Sequence, residues 1–149
     1  MYRTIVLALD GSKGADRAIP VAAELARQDG AHVVIAHAHT RALETAIRSR
    51  LDRQVADLRA AGVPADVAIA PSTIEGREAD AIAQIAHDHD ADLVVIASRG
   101  RSPFVGAVLG SVTQRLLHVS DAPVLVIPPG GTALQPREPA AAAVVASGV

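Results

Sequence analysis

The sequence predicts a doubly wound α/β domain, a five-stranded parallel sheet in the order 3-2-1-4-5 with helices on both faces. Three observations carry this. Five short apolar runs alternate with stretches of helical periodicity, the pattern of successive βα units. The first run, TIVLAL from Thr4 to Leu9, is apolar at every position but its first, as a strand covered on both faces must be. Right-handed crossovers then let five strands wind outward in both directions from that first strand.

Taken in order, Thr4 to Leu9 is strand 1, ended by Asp10-Gly11-Ser12. Asp10 suits either a ligand hydrogen bond or the start of a turn. Ala15, Ala18, Ile19, Ala22, Leu25 and Ala26 recur at helical spacing, predicting a helix from about Lys13 to Gln28. Pro20 lies inside it and predicts a kink near Asp16 to Pro20. Asp29-Gly30 stops the helix. His32 to Ala38 is strand 2, with His37 and His39 on one side of the extended chain. Leu43, Ile47, Leu51, Val55 and Leu58 form the stripe of the second helix. The arginines among them, Arg48, Arg50, Arg53 and Arg59, suit a solvated face better than a phosphate patch. Val63 to Ala70, interrupted by Pro64, is strand 3 and suits an edge. Ala79, Ile82, Ile85 and Ala86 mark the third helix, and Asp92 to Ile96 the fourth strand. Leu109, Val112, Leu116 and Val119 mark the fourth helix, and Val124 to Ile127 the fifth strand. The domain is expected over 1–129. Residues 130–149, rich in Ala, Pro and Gly and without periodicity, are expected to be a disordered tail.

Composition narrows the function. The 149 residues are 50% hydrophobic and 20% charged, as in one soluble domain with a real core. The formal net charge is −2, so no basic field draws nucleic acid. The aromatics are Tyr2 and Phe104 alone, which gives no stacking platform for single strands. Any adenine bound here must rest on aliphatic side chains and backbone. The absence of cysteine excludes disulfides, thiolate catalysis and thiolate zinc sites. Met1-Tyr2-Arg3 leads straight into a strand, and no apolar run reaches membrane-span length. The expected compartment is the cytoplasm. The pair His37/His39 has no evident third ligand nearby, and His87-Asp88-His89-Asp90 sits at an expected helix C-terminus where histidine suits the dipole, so both are expected to be structural.

The stretch from Ala97 to Thr113 carries the chemistry. It joins the fourth strand to the fourth helix through Gly100, Gly106 and Gly110. Glycines admit a ligand close to the backbone. A helix start offers unpaired N–H groups and a partial positive charge. Together these suit phosphate. Ser111 is placed to cap the helix, with Gln114 completing a capping box, and a loop of this kind also occurs with no ligand. It is neither a Walker A loop, since no Lys follows Gly110, nor G-x-G-x-x-G. In the predicted strand order, this loop and Asp10-Gly11-Ser12 converge where the order reverses, the place where such sheets bind ligands.

At this point the chain resembles the universal stress protein family. Nucleotide-binding members carry G-x2-G-x9-G-[ST] after the fourth strand. Gly100, nine residues, then Gly110-Ser111 match the end of that pattern, and Ala97 stands where the first glycine would be. Leu7-Ala8-Leu9-Asp10-Gly11-Ser12, Ala36-His37-Ala38 and Ala122-Pro123-Val124-Leu125-Val126 add to the resemblance, which covers about residues 2 to 128. It implies a nucleotide site. Ala8, Leu9 and Asp10 would form its first wall, with Asp10 at the ribose or adenine end. Ala38 would lie against adenine, and Ile96 and Ala97 would line the base and ribose. Gly100, Gly110, Ser111, Thr113 and the Val112 backbone would hold phosphates, with Arg99 and Arg101 as nearby cations. The methyl of Ala97 costs little if its backbone is extended, and much if φ is positive.

The resemblance implies an ATP- or AMP-binding regulatory stress-response module, with Mg²⁺ on the phosphates. The alternatives are a dimeric interaction scaffold that has lost the nucleotide, and an adenylating enzyme of a related fold. Against the enzyme, neither an SGGxDS-like loop nor HxGH occurs, and no general base is evident beside a nucleophile. The apolar edge strand Val124–Ile127 predicts a homodimer paired through it, unless the tail folds back over that edge.

Overall fold

Strand 1, TIVLA over Thr4–Ala8, has its last four residues buried and lies at the middle of the sheet, as an apolar run without alternation requires. The computed structural model describes residues 1–39, 42–72, 76–98 and 109–129, and the backbone of 143–145. The strands are β1 (Thr4–Ala8), β2 (His32–His39), β3 (Ala65–Pro71), β4 (Leu93–Ala97), β5 (Val124–Ile127) and β6 (Ala143–Val145). The helices are α1 (Ala18–Asp29), α2 (Thr45–Ala60), α3 (Glu78–Asp88) and α4 (Ser111–Val119). β1 to β5 are parallel in the order 3-2-1-4-5. Register pairs Ala8 with Ala36 on one side and with Ile96 on the other.

The two faces carry separate apolar layers. Ile5, Leu7, Leu9, Val33, Ile35, Val95 and Ala97 pack against α1 and α2 through Ala18, Ala22, Ala26, Leu51, Val55 and Leu58. Val6, Ala8, Val34, Ala36, Val94 and Ile96 pack against α3 and α4 through Ala79, Ile82, Ile85, Ala86 and Leu116. This is the period-2 alternation of a strand with both faces covered.

Two features differ from the sequence expectation. The first helix has no interior kink at Pro20. A 3-10 turn over Ala15–Arg17 precedes α1, which begins at Ala18. Pro20 therefore falls in the first helical turn, where its missing N–H has no partner to lose. The second difference lies in the tail, expected to be without order. Residues Ala143–Val145 form β6, antiparallel to β5, with Val124, Leu125 and Val126 opposite Val145, Val144 and Ala143. The β5 edge, with unpaired N–H and C=O groups in a five-stranded sheet, is satisfied from within the chain.

Candidate functional site

The strand order reverses between β1 and β4, so these strands end side by side while α1 and α4, which follow them, pack on opposite faces. Their exits are held by hydrogen bonds that the sequence pattern did not suggest. Leu9 N–H donates to Ala36 O at 3.0 Å. Leu9 O lies 2.8 Å from Nδ1 of buried His37; a carbonyl only accepts, so this nitrogen carries the proton. The His37 and His39 rings stack with centroids 6.4 Å apart. The two imidazoles noted in the sequence thus share a side, and one of them fixes the backbone next to Asp10. Among the described residues no group of three or more His, Cys, Asp or Glu is gathered as metal ligands.

Asp10 is exposed. Its Oδ1 accepts Ser12 N–H at 2.9 Å, an Asx turn. Gly11 follows with φ +84, and a Cβ there would meet Ile47 at 3.4 Å. A side chain at position 11 would be strained by the backbone alone. The Ser12 hydroxyl accepts Ala15 N–H at 3.2 Å, starting the 3-10 turn.

That turn presents Arg17, which links the two loops. Its Nε donates to Gly14 O at 3.0 Å and its Nη2 to Ser98 O at 2.7 Å. Ser98 is buried, and its N–H donates to Ile127 O at 2.9 Å. The exit of β4 is therefore pinned from β5 and from the first loop. Arg17 lies 81 positions from Ser98, and nothing in the sequence joins them.

Across the crevice, α4 begins. Ser111 does not cap it, and no capping box forms. Gly110 is the N-cap, at φ −59 and ψ 158, without a side-chain cap hydrogen bond. Gln114 N–H donates to Gly110 O at 2.9 Å, the first turn of the helix. Ser111 is thus the first helical residue, and it is exposed. Thr113 is buried, and Val112 packs on the α3/α4 layer. α4 is tied to α3 by Arg115, whose Nη2 and Nε reach the Asp80 carboxylate at 3.0 and 3.3 Å. Hydrogen bonding from Arg115 holds the Asp80 carboxyl below the usual carboxylate range.

The sheet sorts the residues named from sequence by face. Ala8, Ala38 and Ile96 lie in or against the α3/α4 layer, with Val112 of α4. Leu9 and Ala97 point to the α1/α2 layer. Ala97 is a regular strand residue without positive φ, so alanine is unstrained where the family pattern has glycine. Its methyl faces away from Ala8 and Ile96. Gly100, Arg101 and Arg99 lie outside the described residues.

A doubly wound sheet with a helix start and small apolar residues at its order reversal defines an α/β domain of ligand-binding architecture. The chain belongs to the universal stress protein family, whose pattern matches residues 1–128. It is 34% identical over 139 residues to a universal stress protein from Thermus aquaticus, encoded 3′ of a QAH/OAS sulfhydrylase, covering 85% of this chain and 99% of the relative. A solved universal stress protein in complex with cAMP is 28% identical with a TM-score of 0.68, covering 85% of this chain and 96% of that one. The universal stress protein from Archaeoglobus fulgidus in complex with dAMP is 26% identical with a TM-score of 0.65, covering 84% of this chain and 97% of that one.

Proposed function

We propose that this chain is a regulatory module that binds an adenine nucleotide, ATP or AMP, in the crevice between β1 and β4, and acts by binding rather than by catalysis. One observation carries the reading. α4 starts at Gly110-Ser111 on the same face of the sheet as Ala8, Ala38 and Ile96, so phosphate and adenine each meet suitable chemistry. The adenine lies on the aliphatic surface of Ala8, Ala38 and Ile96. Asp10 faces the ribose, and the phosphates accept N–H groups around Gly110 to Thr113. That two relatives were solved with cAMP and with dAMP supports the adenine nucleotide as the ligand class. Mg²⁺ enters as part of the ligand, on the phosphates, because the described residues offer it no carboxylate cage.

Micromolar affinity requires about 8 kcal/mol. Several charge-assisted hydrogen bonds of about 1.5–3 kcal/mol each, with burial of the adenine, suffice after the cost of association. Working as a homodimer in the cytoplasm completes the proposal, with pairing through the edge of β5. The test is direct. Purified protein is denatured and the released small molecules are identified by mass spectrometry, then the emptied protein is offered ATP, ADP and AMP. Release of an adenine nucleotide with rebinding supports the reading. An empty protein that rebinds none of them favours the scaffold alternative.

A further inference from the structure

The tail and the dimer require the same hydrogen-bonding edge. An edge strand has one outward row of N–H and C=O groups. On β5 that row is taken by β6, antiparallel, over Val124 to Val126. A second copy of β5 related by a two-fold axis must also pair antiparallel, using that same row. Val-Leu-Val-Ile is apolar at each position, so the strand is complementary to itself in this arrangement. The two partners exclude each other.

We infer that the C-terminal segment is a displaceable cap that controls self-association of this chain. Three observations support it besides the shared edge. The segment is an addition to the family domain: the family match ends at residue 128, and 99% of the Thermus relative is accounted for by 85% of this chain. β6 has three residues, so its ladder is short. It is joined to β5 through the 15 residues from 128 to 142, not by a tight hairpin turn, so no local geometry forces the pair to form. A tethered strand still has the advantage of a high effective concentration over a free partner. The chain therefore starts capped, and a second copy must displace two caps at once.

The inference rests on the dimer part of the function proposed above and is independent of nucleotide binding. The test compares three proteins by sedimentation equilibrium across the micromolar range. The first is the full chain. The second is the chain ended after Pro129, which keeps every buried residue among those described, from Ile5 to Ile127. The third is the full-length double variant Ala143→Pro and Val144→Pro. Neighbouring strand residues turn their N–H groups to opposite sides, so one of the two prolines removes a donor facing β5.

With capped chains outnumbering uncapped about tenfold, the dimer constant of both altered proteins tightens by about a hundredfold over the full chain, because both copies must be uncapped. Equal dimer constants in all three overturn the inference, as does a truncated chain that associates more weakly than the full one. If the truncated chain stays monomeric, both the cap and the β5 dimer are wrong, while nucleotide binding is judged separately by its own titration.

Discussion

The two ends of the sheet are built differently. At the amino ends of the strands the connections are short: two residues between α1 and β2, and four each before β3, β4 and β5. Carboxylates there accept the leading N–H groups of the chain. Asp92 Oδ2 accepts from Arg3 at 2.7 Å and Thr4 at 2.9 Å, and Asp29 accepts from Tyr2 at 2.6 Å. At the carboxyl ends the connections run to five, six and nine residues, and to thirteen between β4 and α4. They are held at their exits, by His37 and Arg17, and they present Asp10, Gly110 and Ser111. One end spends its polar groups on closing the fold; the other, on the function proposed above, offers backbone donors at a helix start to a ligand. Changes at the first end should therefore move stability, and changes at the second should move affinity.

The sharpest separation is expected from Gly110→Val. The backbone at 110 has φ −59, which valine adopts without strain, so the domain should still fold, its melting temperature lowered by only a few degrees through the poorer N-cap. A branched side chain at the helix start blocks the approach of phosphate, and affinity should fall by more than about a hundredfold, or about 2.7 kcal/mol. Loss of folding instead would place Gly110 among the structural residues.

Arg17→Ala and Asp92→Ala form a matched pair, since each removes hydrogen bonds to backbone groups worth about 1.5–3 kcal/mol for a charged partner. Asp92→Ala should lower the urea midpoint and leave nucleotide affinity within about twofold, as expected for a site it does not touch. Arg17→Ala strips the donor from buried Ser98 O and frees the exit of β4. It should weaken binding by about tenfold or more, with partial recovery in Arg17→Lys, which keeps a donor but not the fork. Equal effects of both variants on affinity would erase the distinction between the two ends.

These residues also mark where the sequence was legible and where it was not. Continuous apolar runs located β1, β4 and β5 because burial on both faces leaves almost no polar position, and Val124–Ile127 was bounded to the residue. The strand order and the crevice followed from connection handedness. The helix starts were less legible. A Ser followed three residues on by Gln reads as a cap, yet Gly110 takes that position because its extended backbone already ends the loop. Pro20 read as a kink because periodicity does not tell a 3-10 turn from the helix that follows it. Arg17 to Ser98 and His37 to Leu9 were invisible, since each joins a side chain to a distant carbonyl, and every residue has a carbonyl. β6 has three residues, too few for period 2 to stand out in an alanine-rich tail.

Acid probes the closed end. The N–H groups of Thr4, then of Arg3, hold the Asp92 carboxyl below its usual range. A carboxyl lowered on folding contributes stability above its unfolded value of about 3.9, and that contribution is lost as the pH falls from there through the lowered folded value. Urea midpoints of the wild type and Asp92→Asn should therefore differ at neutral pH and converge in acid. Curves that stay parallel throughout would show that the carboxylate adds nothing at Asp92.

Ser111→Ala should give the smallest change in stability. Its hydroxyl is exposed at the first helical position and makes no cap, so stability should stay within about 0.5 kcal/mol, as for a plain surface substitution. Loss of one charge-assisted hydrogen bond of about 1.5–3 kcal/mol to phosphate should weaken binding by about ten- to a hundredfold. A large fall in stability would restore the capping role.

The open end is proposed to bind an adenine nucleotide. Isothermal titration of the emptied full-length protein with ATP and Mg²⁺ tests it most directly. One site per chain with micromolar affinity is expected, lost in Gly110→Val while the domain still folds. Absence of binding by ATP, ADP and AMP at millimolar concentration, with the fold intact, would contradict it.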